Sequence, residues 1–233
     1  VTTPTITLDP SSYTYSGSQC EPTPTVKDGS VVIPSGEYTV TYSNNTNAGT
    51  ATVTISDNTA GNYYISGTTT FTINKASGSV STIPTAKSLT YNTSAQALIN
   101  AGSGTGTMYY NVGGGSWSTT IPTGTNAGSY TVGYYAAAST NYNQSASGTV
   151  SVTIAKAVQS APTATGATTT YNTTATATAS GGGGQGSIEW SNGNTQTSVG
   201  SKTTKAYWAG NGNYNASPQS AAVTLTMNKA SQS

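Results

Sequence analysis

Asn126-Ala127-Gly128-Ser129-Tyr130-Thr131-Val132-Gly133-Tyr134 holds, in nine residues, a turn and the strand that leaves it. Asn-Ala-Gly is turn chemistry, because Asn and Gly tolerate the left-handed backbone that a tight reversal needs. Beyond it, Tyr130, Val132 and Tyr134 share one side while Thr131 and Gly133 share the other, the period of a strand with one covered face. Upstream, Asn47-Ala48-Gly49-Thr50 leads into Ala51-Thr52-Val53-Thr54-Ile55 in the same way, and downstream Val150, Val152 and Ile154 alternate with Thr149, Ser151 and Thr153. No stretch joins a helical apolar period to good helix formers, so the crossover helices of an α/β enzyme are not expected.

On either side of that stretch the same landmarks occur in the same order, three times along the chain. Tyr13-Thr14-Tyr15-Ser16-Gly17 returns as Leu89-Thr90-Tyr91-Asn92-Thr93 and as Thr170-Tyr171-Asn172-Thr173. Gly61-Asn62-Tyr63, Thr140-Asn141-Tyr142 and Gly212-Asn213-Tyr214 precede terminal strands at Phe71-Thr72-Ile73, Val152-Thr153-Ile154 and Val223 to Met227. Each terminal strand runs into a Lys-Ala pair, Lys75-Ala76, Lys156-Ala157 or Lys229-Ala230, whereas the middle Asn-Ala-Gly turn is missing from the third repeat. These landmarks predict three domains, 1–76, 77–157 and a divergent 158–233, each too small for a multilayer core and each expected to be a two-sheet β-sandwich. In the first, strands are expected at Gly36 to Tyr42, Thr50 to Ser56 and Thr69 to Ile73. The short junctions predict an extended rod of about 100 to 130 Å, with more backbone freedom at Ser77-Gly78-Ser79 than at Val158 to Pro162.

Composition agrees with an all-β chain. Ser and Thr supply 79 of 233 residues, and only 6% are charged, against an ordinary share of about 25%. The seven basic residues are all Lys and the formal charge is +1, too little positive charge for a phosphate backbone, so no nucleic-acid partner is expected. There is neither a signal peptide nor an apolar run of membrane-spanning length, so membrane insertion is not expected of this segment. The abrupt start and stop in repeat-like sequence predict a piece of a longer protein.

Chemistry has few tools here. There is no His, and the single Cys20 can form neither an internal disulfide nor a multi-cysteine metal site; a buried, incidental side chain is expected there. Of the six acids, Asp9, Glu21, Asp28, Glu37 and Asp57 lie in the first repeat and Glu189 in the third. Only the first repeat could supply a glycosidase-like pair, yet Asp28-Gly29 reads as a hairpin turn and Glu37 as part of an alternating strand. No dense Asp-x-Asp pattern points to calcium, and Gly181 to Gly184 lacks the Lys and Ser/Thr of a phosphate loop. No catalytic residue, cofactor or metal is therefore assigned, and the protein is not expected to be an enzyme. A Lys-Asn cross-link repeated in every domain is disfavoured, since the second repeat has no acid to assist it. Trp117, Trp190 and Trp208 are the candidate ligand contacts, because an indole can cover the apolar face of a sugar; core packing is the competing reading, above all for Trp190.

Taken in order, Tyr13 to Gly17, Val26-Lys27-Asp28-Gly29, Tyr38 to Asn45, Asn47 to Thr50, Gly61-Asn62-Tyr63 and Phe71-Thr72-Ile73 resemble bacterial immunoglobulin-like repeats, in particular the MBG-like group of large surface proteins. The second repeat is similar through Leu89 to Asn92, Thr125 to Tyr130 and Asn141-Tyr142, and the third more weakly. The resemblance implies three tandem immunoglobulin-like sandwiches in a monomeric stalk, extracellular or at the cell surface, that holds an adjacent domain of its parent protein away from the envelope. It leaves open an adhesion role towards a host or cell-wall glycan or protein, and an accessory role on a phage particle.

Overall fold

The computed structural model describes residues 3–232. Among these residues the chain is all-β: strands and turns, one 3-10 turn at Ser35–Glu37, and no α-helix. The chain divides into two compact units, one of Val1–Thr85, Ala101–Thr120 and Gly133–Thr149, the other of Ala86–Asn100, Ile121–Val132 and Val150–Ser233. This division does not follow the repeat register, because residues 77–157 contribute to both.

In the first unit, alternation becomes burial. Along the strand Gly49–Asp57, Ala51, Val53 and Ile55 are buried while the threonines between them are only partly covered. It pairs antiparallel with Tyr38–Ser43 on one side and with Gly67–Asn74 on the other, setting Ala51 opposite Phe71. A second sheet, Thr5–Leu8 against Pro24–Asp28 against Val31–Val32, adds Val26 to the same core, and Cys20, Ile33, Tyr38 and Ile65 complete it. Two sheets thus enclose one apolar layer. Lys27 pairs with Val32 and Asp28 with Val31, so Asp28-Gly29 is the hairpin turn expected of it. Glu37 differs from expectation: it ends the 3-10 turn just before the strand, because its carboxylate is held by Asn62.

One pairing occurs in all three repeats. A short opening strand runs parallel to the repeat's own last strand: Ser12–Thr14 beside Gly67–Asn74, Leu89–Thr90 beside Gly148–Ala155, and Ala167–Thr170 beside Val223–Asn228. The next residue is a tyrosine whose amide closes the ladder: Tyr15 N to Asn74 O at 2.8 Å, Tyr91 N to Ala155 O at 2.8 Å and Tyr171 N to Asn228 O at 2.9 Å. The third repeat also keeps the glycine of the middle turn. Gly49, Gly128 and Gly200 each open a long strand at φ of 144°, 150° and 131°, a conformation that a Cβ would strain. Ser198-Val199 replaces Asn-Ala in front of it, which hides the correspondence in the sequence.

The second unit buries Leu98, Ile99, Val132, Val152 and Ile154. Its 158–232 portion builds a core from smaller residues, Ala175 and Ala177 with Leu225, and Trp190 packs against them. Where the first repeat fills its core with Val, Ile and Phe, the third combines alanines with one indole.

Candidate functional site

The landmarks that define the repeats meet one another across the repeat boundaries. Because the opening strand stops beside the end of the last strand, Tyr15 projects past that end, and its ring meets Tyr142 edge-on, centroids 5.4 Å apart at 80°. Tyr91 meets Tyr214 in the same way, at 5.3 Å and 78°. Such aromatic pairs contribute about 0.5–1.5 kcal/mol beyond the area they bury.

The Lys-Ala pair is the second component. Ala76 N donates to Asn141 O and Asn143 N donates to Ala76 O, both at 2.9 Å, forming a parallel bridge between Ala76 and Tyr142. Ala157 repeats the bridge with Tyr214, donating to Asn213 O and accepting from Asn215 N, again at 2.9 Å. The lysine before each alanine reaches a carbonyl in the same loop: Lys75 Nζ to Ser139 O at 2.7 Å and Lys156 Nζ to Asn211 O at 2.8 Å. The linker therefore continues as hydrogen-bonded backbone rather than as a free tether.

The third component needs a side chain that both donates and accepts, which an amide provides. Asn141 Oδ1 accepts from Ala48 N at 2.9 Å while its Nδ2 donates to Asn47 Oδ1 at 3.0 Å. Asn213 Oδ1 accepts from Ala127 N at 2.8 Å while its Nδ2 donates to Asn126 Oδ1 at 3.2 Å. Every sequence landmark is thus used twice: Tyr, Asn-Ala and Lys-Ala on one side, the Asn-Tyr turn on the other. In the sequence these residues stand out as repeat markers, and no local signal shows that they bind each other.

No family model matches this chain, and no curated protein matches it.

The three tryptophans separate. Trp190 lies against Ala175, Ala177 and Leu225, the packing role. Trp208 is partly buried and its Nε1 donates to Gly181 O at 2.9 Å, so its polar edge is already paired. Trp117 is 41% exposed and stands edge-on to Tyr135 at 4.7 Å, and Tyr135 stacks on Tyr109 at 5.4 Å with planes 7° apart. A Cβ at Gly133 would come within 3.1 Å of the Trp117 ring and closer still to Asn111, so the missing side chain makes room for the indole. The sequence signal for Tyr109 and Tyr135 is the doublets Tyr109-Tyr110 and Tyr134-Tyr135. In a strand, neighbours face opposite ways, and here Tyr110 and Tyr134 are buried while Tyr109 and Tyr135 join the outer patch.

Several polar and titratable residues are held by specific contacts. Glu37 accepts from both the backbone N and the Nδ2 of Asn62. Cys20 is buried, its N donating to Asn45 O at 2.8 Å and its O accepting from Asn45 Nδ2 at 3.1 Å. Burial, and then the charge of Glu21, raise the Tyr42 phenol above its usual value, while its OH donates to Pro22 O at 2.9 Å. Among the described residues no group of three His, Cys, Asp or Glu side chains comes together in a way that could hold a metal ion, and no helix is long and apolar enough to cross a membrane.

Proposed function

We propose that the chain is a stiff structural spacer. It consists of three immunoglobulin-like sandwich modules in series, 1–76, 77–157 and 158–233, extended end to end within a larger bacterial protein, at the cell surface or outside the cell, and it presents an adjacent domain away from the envelope. The observation that carries this reading is the junction used twice, in which an edge-on tyrosine pair, a backbone bridge and a two-way asparagine restrain each boundary at several points. A tether meant only to connect would not need them. A spacer works through reach and bending resistance, and a spacer's activity requires no reacting group.

Small-angle scattering of the chain tests the reading directly. An elongated profile with a maximum dimension of about 100 to 130 Å is expected, unchanged over a range of salt and shortened or broadened when Asn141 and Asn213 are both replaced by Ala. A compact globular profile would overturn it.

A second reading rests on the outer patch of Trp117, Tyr135 and Tyr109. Adhesion to a glycan through this platform predicts binding on a glycan array that disappears in Trp117→Ala but persists in Trp190→Ala variants that remain folded.

A further inference from the structure

Tyr15 and Tyr91 are each partly covered by the tyrosine of a following turn, whereas Tyr171, at the same place beside its own last strand, is 54% exposed. We propose that Tyr171, Val199-Gly200 and Lys229-Ala230 form a docking face for one further module of this repeat type, joined in cis and presenting an Asn-Tyr turn. The inference deepens the spacer reading and rests on its serial modules.

The face has the parts of the two occupied ones. Tyr171 N is bonded to Asn228 O as Tyr15 N is to Asn74 O, which sets the ring at the strand end. Gly200 opens its strand with the positive φ of Gly49 and Gly128, so Val199 stands where Ala48 and Ala127 offer their amides to Asn141 and Asn213. Val199 is 44% exposed. Lys229-Ala230 follows the last strand as Lys75-Ala76 and Lys156-Ala157 do. The residues after it match too: Lys229-Ala230-Ser231-Gln232-Ser233 repeats the spacing of Lys156-Ala157-Val158-Gln159-Ser160. Gln159 is the residue of that linker that enters the following repeat, donating to Gln185 O at 3.0 Å and Asn215 O at 2.8 Å, whereas Gln232 is exposed. Ser198 in place of Asn47 and Asn126 removes the amide that Asn141 and Asn213 bind through Nδ2, so this junction is expected to be the weakest of the series.

The occupant is a cis module rather than a second copy of the chain. In a second copy the front turn would be Gly61-Asn62-Tyr63, and there both the amide and the side-chain Nδ2 of Asn62 are bound to Glu37. Asn141 and Asn213 use that Nδ2 for docking.

The test extends the whole chain after Ser233 by a second copy of residues 161–233, which recreates the Lys-Ala-x-Gln-Ser-Ala-Pro run found at 156–162. Amide hydrogen exchange of Ala230 is followed in the extended and original chains. Docking is expected to slow Ala230 exchange by at least about tenfold, towards the protection of Ala157 in the same molecule, and Tyr171→Ala in the extended chain to reverse part of that gain. An appended copy that is folded, shown by its own protected core amides, with Ala230 exchanging as in the original chain, would overturn the proposal while leaving the scattering result for the spacer untouched. Concentration-dependent protection of Ala230 in the original chain would overturn it in favour of a second copy. A comparison in the original chain does not depend on the extension folding: Tyr91→Ala is expected to lower the melting temperature by roughly 2–4 °C and Tyr171→Ala to leave it unchanged. Equal losses would make Tyr171 part of its own module's packing and overturn the docking role.

Discussion

The junction after Ala76 and the junction after Ala157 make the same tyrosine, alanine and asparagine contacts, yet their linkers solve the next step in opposite ways. After Ala76 the chain passes Gly78, where a Cβ would collide with the backbone carbonyl of Asn143. After Ala157 it passes Gln159, which is buried and uses its amide in both directions: Nε2 donates to Gln185 O and Asn215 O, and Oε1 accepts from Gln185 N at 3.1 Å. One linker fits by having no side chain, and the other by filling the equivalent position with a fully bonded one. The glycine-containing linker was expected to be the freer of the two. At Gly78 the absent side chain also serves close approach, since the backbone there lies against the Asn143 carbonyl.

Exchanging the two linker residues should have the largest effect. Gly78→Gln should destabilise the chain by about 3 kcal/mol, since the new side chain meets backbone that cannot yield cheaply; urea unfolding measures it, and a loss below about 0.5 kcal/mol would mean the close approach is not maintained in solution. The converse change, Gln159→Gly, should cost about 2 kcal/mol, because it leaves the Gln185 amide and two carbonyls without their partner. Its effect should reappear as faster exchange of the Gln185 amide. Tyr142→Ala and Tyr214→Ala should each cost about 1 kcal/mol from the ring pair, and nearly equally, if the two junctions are as alike as their centroid distances suggest. Unequal losses would assign more of the stability to the linkers. Lys75→Met and Lys156→Met should shift stability by less than about 0.5 kcal/mol, the lysines being exposed.

A last and smallest effect lies away from both junctions. The Tyr42 phenol is raised, so its contribution is fully present below the ordinary tyrosine value of 10.0 and is lost as pH rises through the higher folded value. Thermal melts between pH 9 and 12 should show a loss at the alkaline end that is smaller in Tyr42→Phe, with junction amides unaffected until the first repeat itself opens.

Much of the local structure was legible. The expected strands Thr50 to Ser56 and Thr69 to Ile73 are observed as Gly49–Asp57 and Gly67–Asn74, because Ala, Val, Ile and Phe alternate there with Thr and only one phase of the pleat buries them all. The expected strand from Gly36 begins two residues later, since Glu37 is drawn into a turn by a partner 25 residues away. The sequence singles out Trp190 for core packing and leaves Trp117 and Trp208 alike; in the fold Trp190 packs against small core alanines, Trp208 finds a carbonyl for its Nε1, and Trp117 leans on a tyrosine from a neighbouring strand. The middle turn of the third repeat was missed because Ser198-Val199 shares no side chain with Asn-Ala, although the backbone feature, a glycine at positive φ opening a strand, is unchanged.

Local sequence specifies the strands Gly49–Asp57 and Gly67–Asn74 with their covered face, and the recurrence of one set of landmarks, because turn chemistry and period-two alternation act over a few neighbouring residues. In Gly128–Ala136, Gly133 is buried along with Val132 and Tyr134, since Asn111 and Trp117 cover the second face as well. That the landmarks contact one another follows only from the fold. Ala48 and Asn141 are 93 residues apart, and Ala127 and Asn213 are 86 apart; no local pattern says that these amides meet. Only the parallel pairing that sets each tyrosine at a strand end, together with the linker that hydrogen-bonds as it crosses, brings them within reach.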